Sequence, residues 1–153
     1  MAQTYINING EVREASSLKM PPEGKLLRGA WQFNGDVIEI DPVKAKAILT
    51  EKVREEGARR LRAIAADYSE AERETWPTQI EEAEALKVDP QASAPFVRSL
   101  AQADGVKADA MADAILMKRD AFSAAAAVIL SKQRKLLAMD SIPTDFDHDK
   151  WWS

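Results

Sequence analysis

The stretch from Tyr68 to Leu86, YSEAERETWPTQIEEAEAL, constrains the fold of this chain more than any other. Ser69 followed by Glu72 fits a capping box: the Ser hydroxyl accepts from the backbone N–H three residues on, and the Glu reaches back. Glu70, Glu72 and Glu74 put negative charge in the first turns, where the helix dipole favours it. Pro77, after Trp76, has no N–H for the ladder and crowds the carbonyl four residues back, so a kink or restart is expected there. Beyond it, Ile80, Ala83 and Leu86 or Lys87 recur at helical spacing, with Glu81, Glu82 and Glu84 facing out. Trp76 is then either a core anchor at a helix–helix corner, as large aromatics mostly are, or an interface anchor.

Before this stretch the sequence predicts β structure over residues 1–40. Tyr5 to Ile8 alternates, Asn9-Gly10 turns and Glu11 to Arg13 returns. Asn-Gly between alternating residues is a strong hairpin signal, because both turn positions need positive φ. The device recurs at Asn34-Gly35, between Trp31-Gln32-Phe33 and Asp36 to Ile40. Met20 to Gly24 reads as a loop. One hairpin alone is marginal in water. The two are therefore expected to share one small antiparallel sheet, or to dock a face on helices. Trp31, Phe33, Ile38 and Ile40 form the expected buried face.

Residues 41–140 read as a helical domain. Asp41 caps and Pro42 sits at the first helical position, where its missing N–H costs nothing. This helix is expected to reach about Tyr68, roughly 40 Å. Its stripe is Val43, Ala47, Thr50, Arg54, Gly57, Leu61, Ile64 and Tyr68. Gly57 costs about 1 kcal/mol against alanine inside a helix; a close helix crossing or a bend would account for it. Asp89-Pro90 ends the Trp-Pro helix. A short helix follows from about Ala94 to Ala103, capped at Ser93 and stopped by Gly105. The last runs from Lys107 or Ala108 to Met139. Its stripe is Ala108, Met111, Ile115, Phe122, Ala125 or Ala126, Ile129, Gln133 and Leu136. The helix from Pro42 is its expected partner. The fold class is thus α+β, a small N-terminal β-hairpin region followed by a helical body of about four helices.

Composition narrows the function. The net charge is −4, which argues against a general nucleic-acid binder with a basic surface. No cysteine is present, so disulfides, thiolate metal sites and a cysteine nucleophile are excluded. The longest apolar run, Ala124 to Leu130, falls far short of the roughly 20 residues of a membrane span and reads as a buried helix face. The first ten residues carry neither a basic nor an apolar leader region, so no signal peptide is expected.

The residues point to no cofactor, metal or catalytic site. His148 is the one histidine. With Asp145, Asp147 and Asp149 it lacks the glycine and distal glutamate of a calcium loop. No phosphate-binding or nucleophile motif occurs. Arg54, Arg59, Arg60 and Arg62 are balanced by Glu51, Glu55 and Glu56 at helix-pair spacings. The tail, residues 141–153, is apolar and acidic, and is too short and too broken by Pro143 for a regular element. Phe146, Trp151 and Trp152 must dock somewhere, either on the chain's own body or on a neighbouring subunit. With Trp76 they are the candidate interface residues.

The run ETWPTQIEEAEAL resembles the Trp-Pro-x-Gln…Glu-Ala pattern of a helical domain of unknown function in small bacteriophage and prophage tail proteins. The block WQFNGDVIEIDPVKAKAI, Trp31 to Ile48, is similar to the entry of short proteins encoded near tail-fibre genes. The resemblance covers roughly residues 30–140. It implies a non-enzymatic virion protein of the tail tip or fibre region, or a tail-fibre assembly chaperone that leaves the particle. It also implies other tail proteins and further copies of the chain, as in a trimer, as partners, with no nucleic acid and no membrane. Its expected place is the virion tail, and the host cytoplasm during assembly.

Overall fold

The computed structural model describes residues 3–21 and 24–153. The fold is α+β: two antiparallel hairpins precede a helical body. The strands are β1 (Tyr5–Ile8), β2 (Glu11–Glu14), β3 (Trp31–Asn34) and β4 (Val37–Ile40). The helices are α1 (Pro42–Ile64), α2 (Glu70–Val88), α3 (Pro95–Asp104) and α4 (Ala108–Leu137). By compactness the chain divides into two units. One comprises the chain to Gly57 together with Lys132–Ser153, and the other is Ala58–Ser131. This division cuts across the expected segments 1–40, 41–140 and 141–153, because α1 and α4 each contribute to both units.

In the first unit the hairpins form two separate two-stranded sheets rather than one. They are joined by packing: Ile6, Trp31 and Ile38 share a buried cluster, with Phe33 and Ile40 half-buried against it. Trp31 stands opposite Ile40 and Phe33 opposite Ile38, so aromatic and β-branched side chains pair across the strands on one face. Lys19 lies along β4, donating its N–H to Asp36 O and accepting from Ile38 N at 3.0 Å. That linker occupies the edge a single sheet would have used. The first turn uses Asn9 and Gly10, at φ 53° and 89°. The second shifts by one residue from the expected Asn34-Gly35: Gly35 and Asp36 turn, and Asn34 remains in β3, paired with Val37. The loop expected at residues 20–24 lies partly outside the described residues, at Pro22 and Glu23. Gly24–Ala30 winds as a 3-10 segment that the sequence did not signal.

Asp41 caps α1, its Oδ1 accepting from Val43 N at 2.9 Å. The buried stripe is Ala45, Leu49, Val53, Glu56 and Gly57, not the seam counted from Val43, which is 78% exposed. Spacing by four from Ala45 gathers the bulkier Leu49 and Val53; the heptad count placed exposed Ala47 and Arg54 inside. Gly57 marks a close approach. A Cβ there would overlap the side-chain oxygen of Gln133 and stand 3.5 Å from the Trp152 ring. The helix ends at Ile64, four residues before Tyr68. Bonds from Ala65 N to Arg62 O and from Ala66 N to Ala63 O tighten its last turn. Ser69 must leave the helical region (φ −64°, ψ 156°) to cap α2.

The tail closes the first unit on its own chain. Ile142, Phe146 and Trp152 are buried, and Trp152 Nε1 donates to Phe146 O at 2.7 Å. Asp149–Trp151 makes one 3-10 turn, capped by His148 Nδ1 accepting from Lys150 N. The tail thus does hold a short regular element, despite Pro143.

In the second unit α2 runs on through Pro77 as one helix, so of the expected kink or restart the restart does not occur. Arg73, whose carbonyl loses its ladder donor, is exposed, as is Pro77, so water can satisfy that carbonyl. Ser69 Oγ accepts from Glu72 N at 3.0 Å. The core of this unit is Ala83, Leu86, Ala94, Val97, Ala112 and Ile115. The run Ala124–Leu130 is not the buried face expected: Ile129 is buried, whereas Val128 and Leu130 are 47% and 45% exposed. Seven consecutive apolar residues wrap right round a helix, so one face cannot take them all.

Candidate functional site

The second unit holds a cleft of about 850 Å³ lined by Ile64 of α1, Tyr68 of the linker that follows, and residues of α2, α3 and α4. Three aromatic rings define it. Tyr68 and Trp76 meet edge to face at 5.0 Å between centroids, and Trp76 and Phe122 at 5.6 Å. Such pairs are worth about 0.5–1.5 kcal/mol beyond their buried area. Trp76 is half-buried. It is therefore both a packing residue and an accessible one, between the two readings of the sequence. Pro77 also lines the cleft. It keeps the backbone donor out of the wall and presents only a ring.

Two of the lining helices, α2 and α3, are tied to one another by a side-chain cap. Glu82, expected on a solvated face, is half-buried. Its carboxylate accepts from Phe96 N at 3.3 Å and Val97 N at 2.8 Å. These are first-turn amides of α3, and a negative group there also meets the positive end of the helix dipole. Ser93 was the expected cap; instead Ala94 occupies the cap position without a side-chain bond, and Glu82 does the work from the preceding helix. Glu82→Ala is expected to lower stability by about 1–2 kcal/mol. A thermal unfolding midpoint identical to wild type would show the bonds to be idle.

Two ion pairs brace α4 against α2. Lys87 Nζ bonds Asp113 Oδ1 at 2.6 Å, and Arg119 pairs with Glu84 and, at 3.0 Å, with Asp120. The bond to Asp113 raises the Lys87 pKa, with its charge adding to the effect. Asp120 chiefly, with Glu84, raises that of Arg119. All five are substantially solvated, so each pair contributes little stability by itself. Lys118 Nζ lies 5.8 Å from the Tyr68 ring centroid, so a cation stands beside the aromatic wall, and Glu72, Arg73, Asp104 and Arg119 also line the cleft.

The other candidate interface residues belong to the first unit. Phe146 and Trp152 are buried, at 8% and 3% exposure; Trp151 is half-buried. Of the two docks open to the tail, the structure shows the chain's own. Trp151 Nε1 donates to Asp145 Oδ1 at 3.0 Å, and Lys150 Nζ meets Asp145 Oδ2 at 2.8 Å. These bonds, that to Lys150 first, hold the Asp145 carboxyl below its ordinary pKa. A depressed carboxylate stabilises the folded form above the unfolded value of about 3.9, and that stability is lost as pH falls through the folded value. The indole N–H resonance of Trp151 should therefore move on acidification below about pH 4. In Asp145→Asn it should stay put; an equal shift there would refute the link.

Among the described residues no group of three or more His, Asp or Glu is arranged to hold a metal ion. No helix among them is long and apolar enough to cross a membrane. The sequence reading missed Tyr68 and Phe122 as partners of Trp76, and Glu82 as a cap. Tyr68 carried a signal: it precedes the Ser69 cap, where an apolar residue commonly packs back on the new helix. Phe122 carried none, since nothing in the spacing ties α4 to Trp76. No family model, curated protein or solved structure matches the chain.

Proposed function

We propose that this chain is a non-enzymatic structural component of a bacteriophage tail, in the tip or fibre region, acting through protein–protein contacts. One observation carries the reading: the residues of the Trp-Pro-x-Gln…Glu-Ala resemblance are spent on folding and on an accessible apolar wall. Trp76 and Pro77 line the cleft, Gln79 donates to Thr75 Oγ1 at 2.8 Å, Glu82 caps α3, and Ala83 is fully buried. A half-buried tryptophan beside a tyrosine is the composition favoured at interface anchors.

The test is detection of the protein in purified, tailed particles of the phage or prophage that encodes it. Retention in the particle supports the reading. Presence in the lysate but not in the particle favours the assembly chaperone. Normal tails from a deletion strain sink both. Trp76→Arg should leave the helical circular dichroism intact yet cut incorporation on the order of tenfold or more. Unchanged incorporation removes Trp76 from the contact.

A further inference from the structure

We infer that the aromatic cleft of the second unit binds an uncharged polyproline II segment of another protein. The inference rests on the reading of this wall as a protein contact and adds what the partner presents. Two donors in the cleft are left open. Trp76 Nε1 and the Tyr68 hydroxyl have no hydrogen-bond partner among the described residues. Both rings are half-buried, yet neither polar atom is sealed from water: the one buried side-chain nitrogen or oxygen without a partner is Trp31 Nε1, in the other unit. Charge narrows the occupant. Arg119 is met by Glu84 and Asp120. Of the other ionised groups lining the cleft, Arg73 and Lys118 have no carboxylate, and Glu72 and Asp104 no cation, among the described residues. These opposite charges are equal in number, so the cleft complements a neutral occupant rather than an acidic or a basic one.

The walls decide which backbone can supply the missing acceptors. They are helices and one linker residue, and helical ladders consume their own N–H and C=O groups, so no sheet edge exists for a β-strand to extend. An α-helical ligand spends its carbonyls internally and offers none to Trp76 or Tyr68. A polyproline II segment makes no internal hydrogen bonds and leaves every carbonyl free. Its pyrrolidine rings pack on aromatic side chains, the way proline-rich segments dock in aromatic-lined grooves. Here the Trp76 ring stands at 79° to Tyr68 and 74° to Phe122, so the wall is furrowed rather than flat. The lining stretch of α2 from Glu72 to Ile80 spans about 12 Å, the rise of about four polyproline residues. The one Pro-Pro step of this chain begins at Pro21, which is buried, so the segment belongs to another protein.

The test uses the purified chain and synthetic peptides. Deca-proline, blocked at both ends, should move the indole N–H resonance of Trp76 saturably and leave those of Trp31 and Trp152 in place. Nuclear Overhauser contacts should join its pyrrolidine protons to the rings of Tyr68 and Phe122. A blocked Gly-Ser peptide of equal length, equally uncharged and equally rich in carbonyls, should not bind. Tyr68→Phe keeps the ring and removes the hydroxyl. With unchanged helical circular dichroism, it should weaken deca-proline binding about fivefold, the loss of one hydrogen bond. The absence of a saturable shift overturns the inference, as does an equal shift from the Gly-Ser peptide. So do pyrrolidine contacts elsewhere than the cleft, or undiminished affinity of Tyr68→Phe. Retention of the protein in tailed particles does not rescue the inference after any of these results. Deca-proline binding by a protein that no particle retains leaves it standing and counts against the tail reading alone.

Discussion

Trp152→Ala is expected to lower the unfolding free energy by about 3–5 kcal/mol, the range for emptying a buried large aromatic site. Trp152 is 3% exposed. Its indole N–H holds the Phe146 carbonyl at 2.7 Å, and its ring lies against the bare backbone of Gly57. Truncation to alanine opens a cavity on one side and strands a carbonyl on the other. The denaturant midpoint should fall with little change in slope. A midpoint unmoved by the substitution would mean that the tail docks without supporting the first unit. This differs from what a connector to a neighbouring subunit would show, since removing a free connector leaves the monomer's stability alone. Deleting residues 147–153 should accordingly destabilise the chain rather than leave it intact.

Trp31→Ala should cost a similar amount, again about 3–5 kcal/mol, through a different route. Trp31 is 4% exposed, and with Ile6 and Ile38 it forms the only buried cluster described for the two hairpins. Two-stranded sheets are marginal in water and depend on such packing. Beyond the loss in stability, amide protection at Ile6 and Ile38 should collapse toward that of free hairpins in hydrogen exchange. The amides of α2, in the other unit, should keep theirs. If hairpin and α2 amides lose protection to the same extent, the units do not unfold separately. Trp76→Ala should cost only about half as much, because a half-exposed ring has less apolar area to lose.

The elements with local signals were legible in the sequence. Asp41-Pro42, Ser69 and Gly105 each announce a helix end by what one residue does to its neighbours' backbone, and each stands where expected. Gly57 was legible as a close approach, because glycine inside a long helix needs a reason. What could not be read arises between elements distant in sequence. Glu82 looked like one more solvated glutamate, since the amides it caps lie 14 and 15 residues further on. The seam of α1 was misread because alternative stripes of weakly apolar residues coexist on it, and only the packing of the first unit selects Leu49 and Val53. The continuity of α2 through Pro77 likewise depends on Arg73 facing water, which spacing alone does not reveal. Of the candidate site, Trp76 was visible by its chemistry, but the cleft was not, because Phe122 reaches it from another helix.

The make-up of the first unit bears on the order in which the chain can fold as it is synthesised. Its strands emerge early, yet its core takes in Trp152, made well over a hundred residues after β1. The intervening unit, Ala58–Ser131, is continuous in sequence and can be complete while the first still waits. Until Trp152 has been made, the bare flank of Gly57 lacks its final cover. A nascent chain in that state exposes apolar surface, and its lifetime is set by translation rather than by diffusion. Codons and conditions that slow the last stretch should therefore raise aggregation of this protein more than equal delays placed before Ala58.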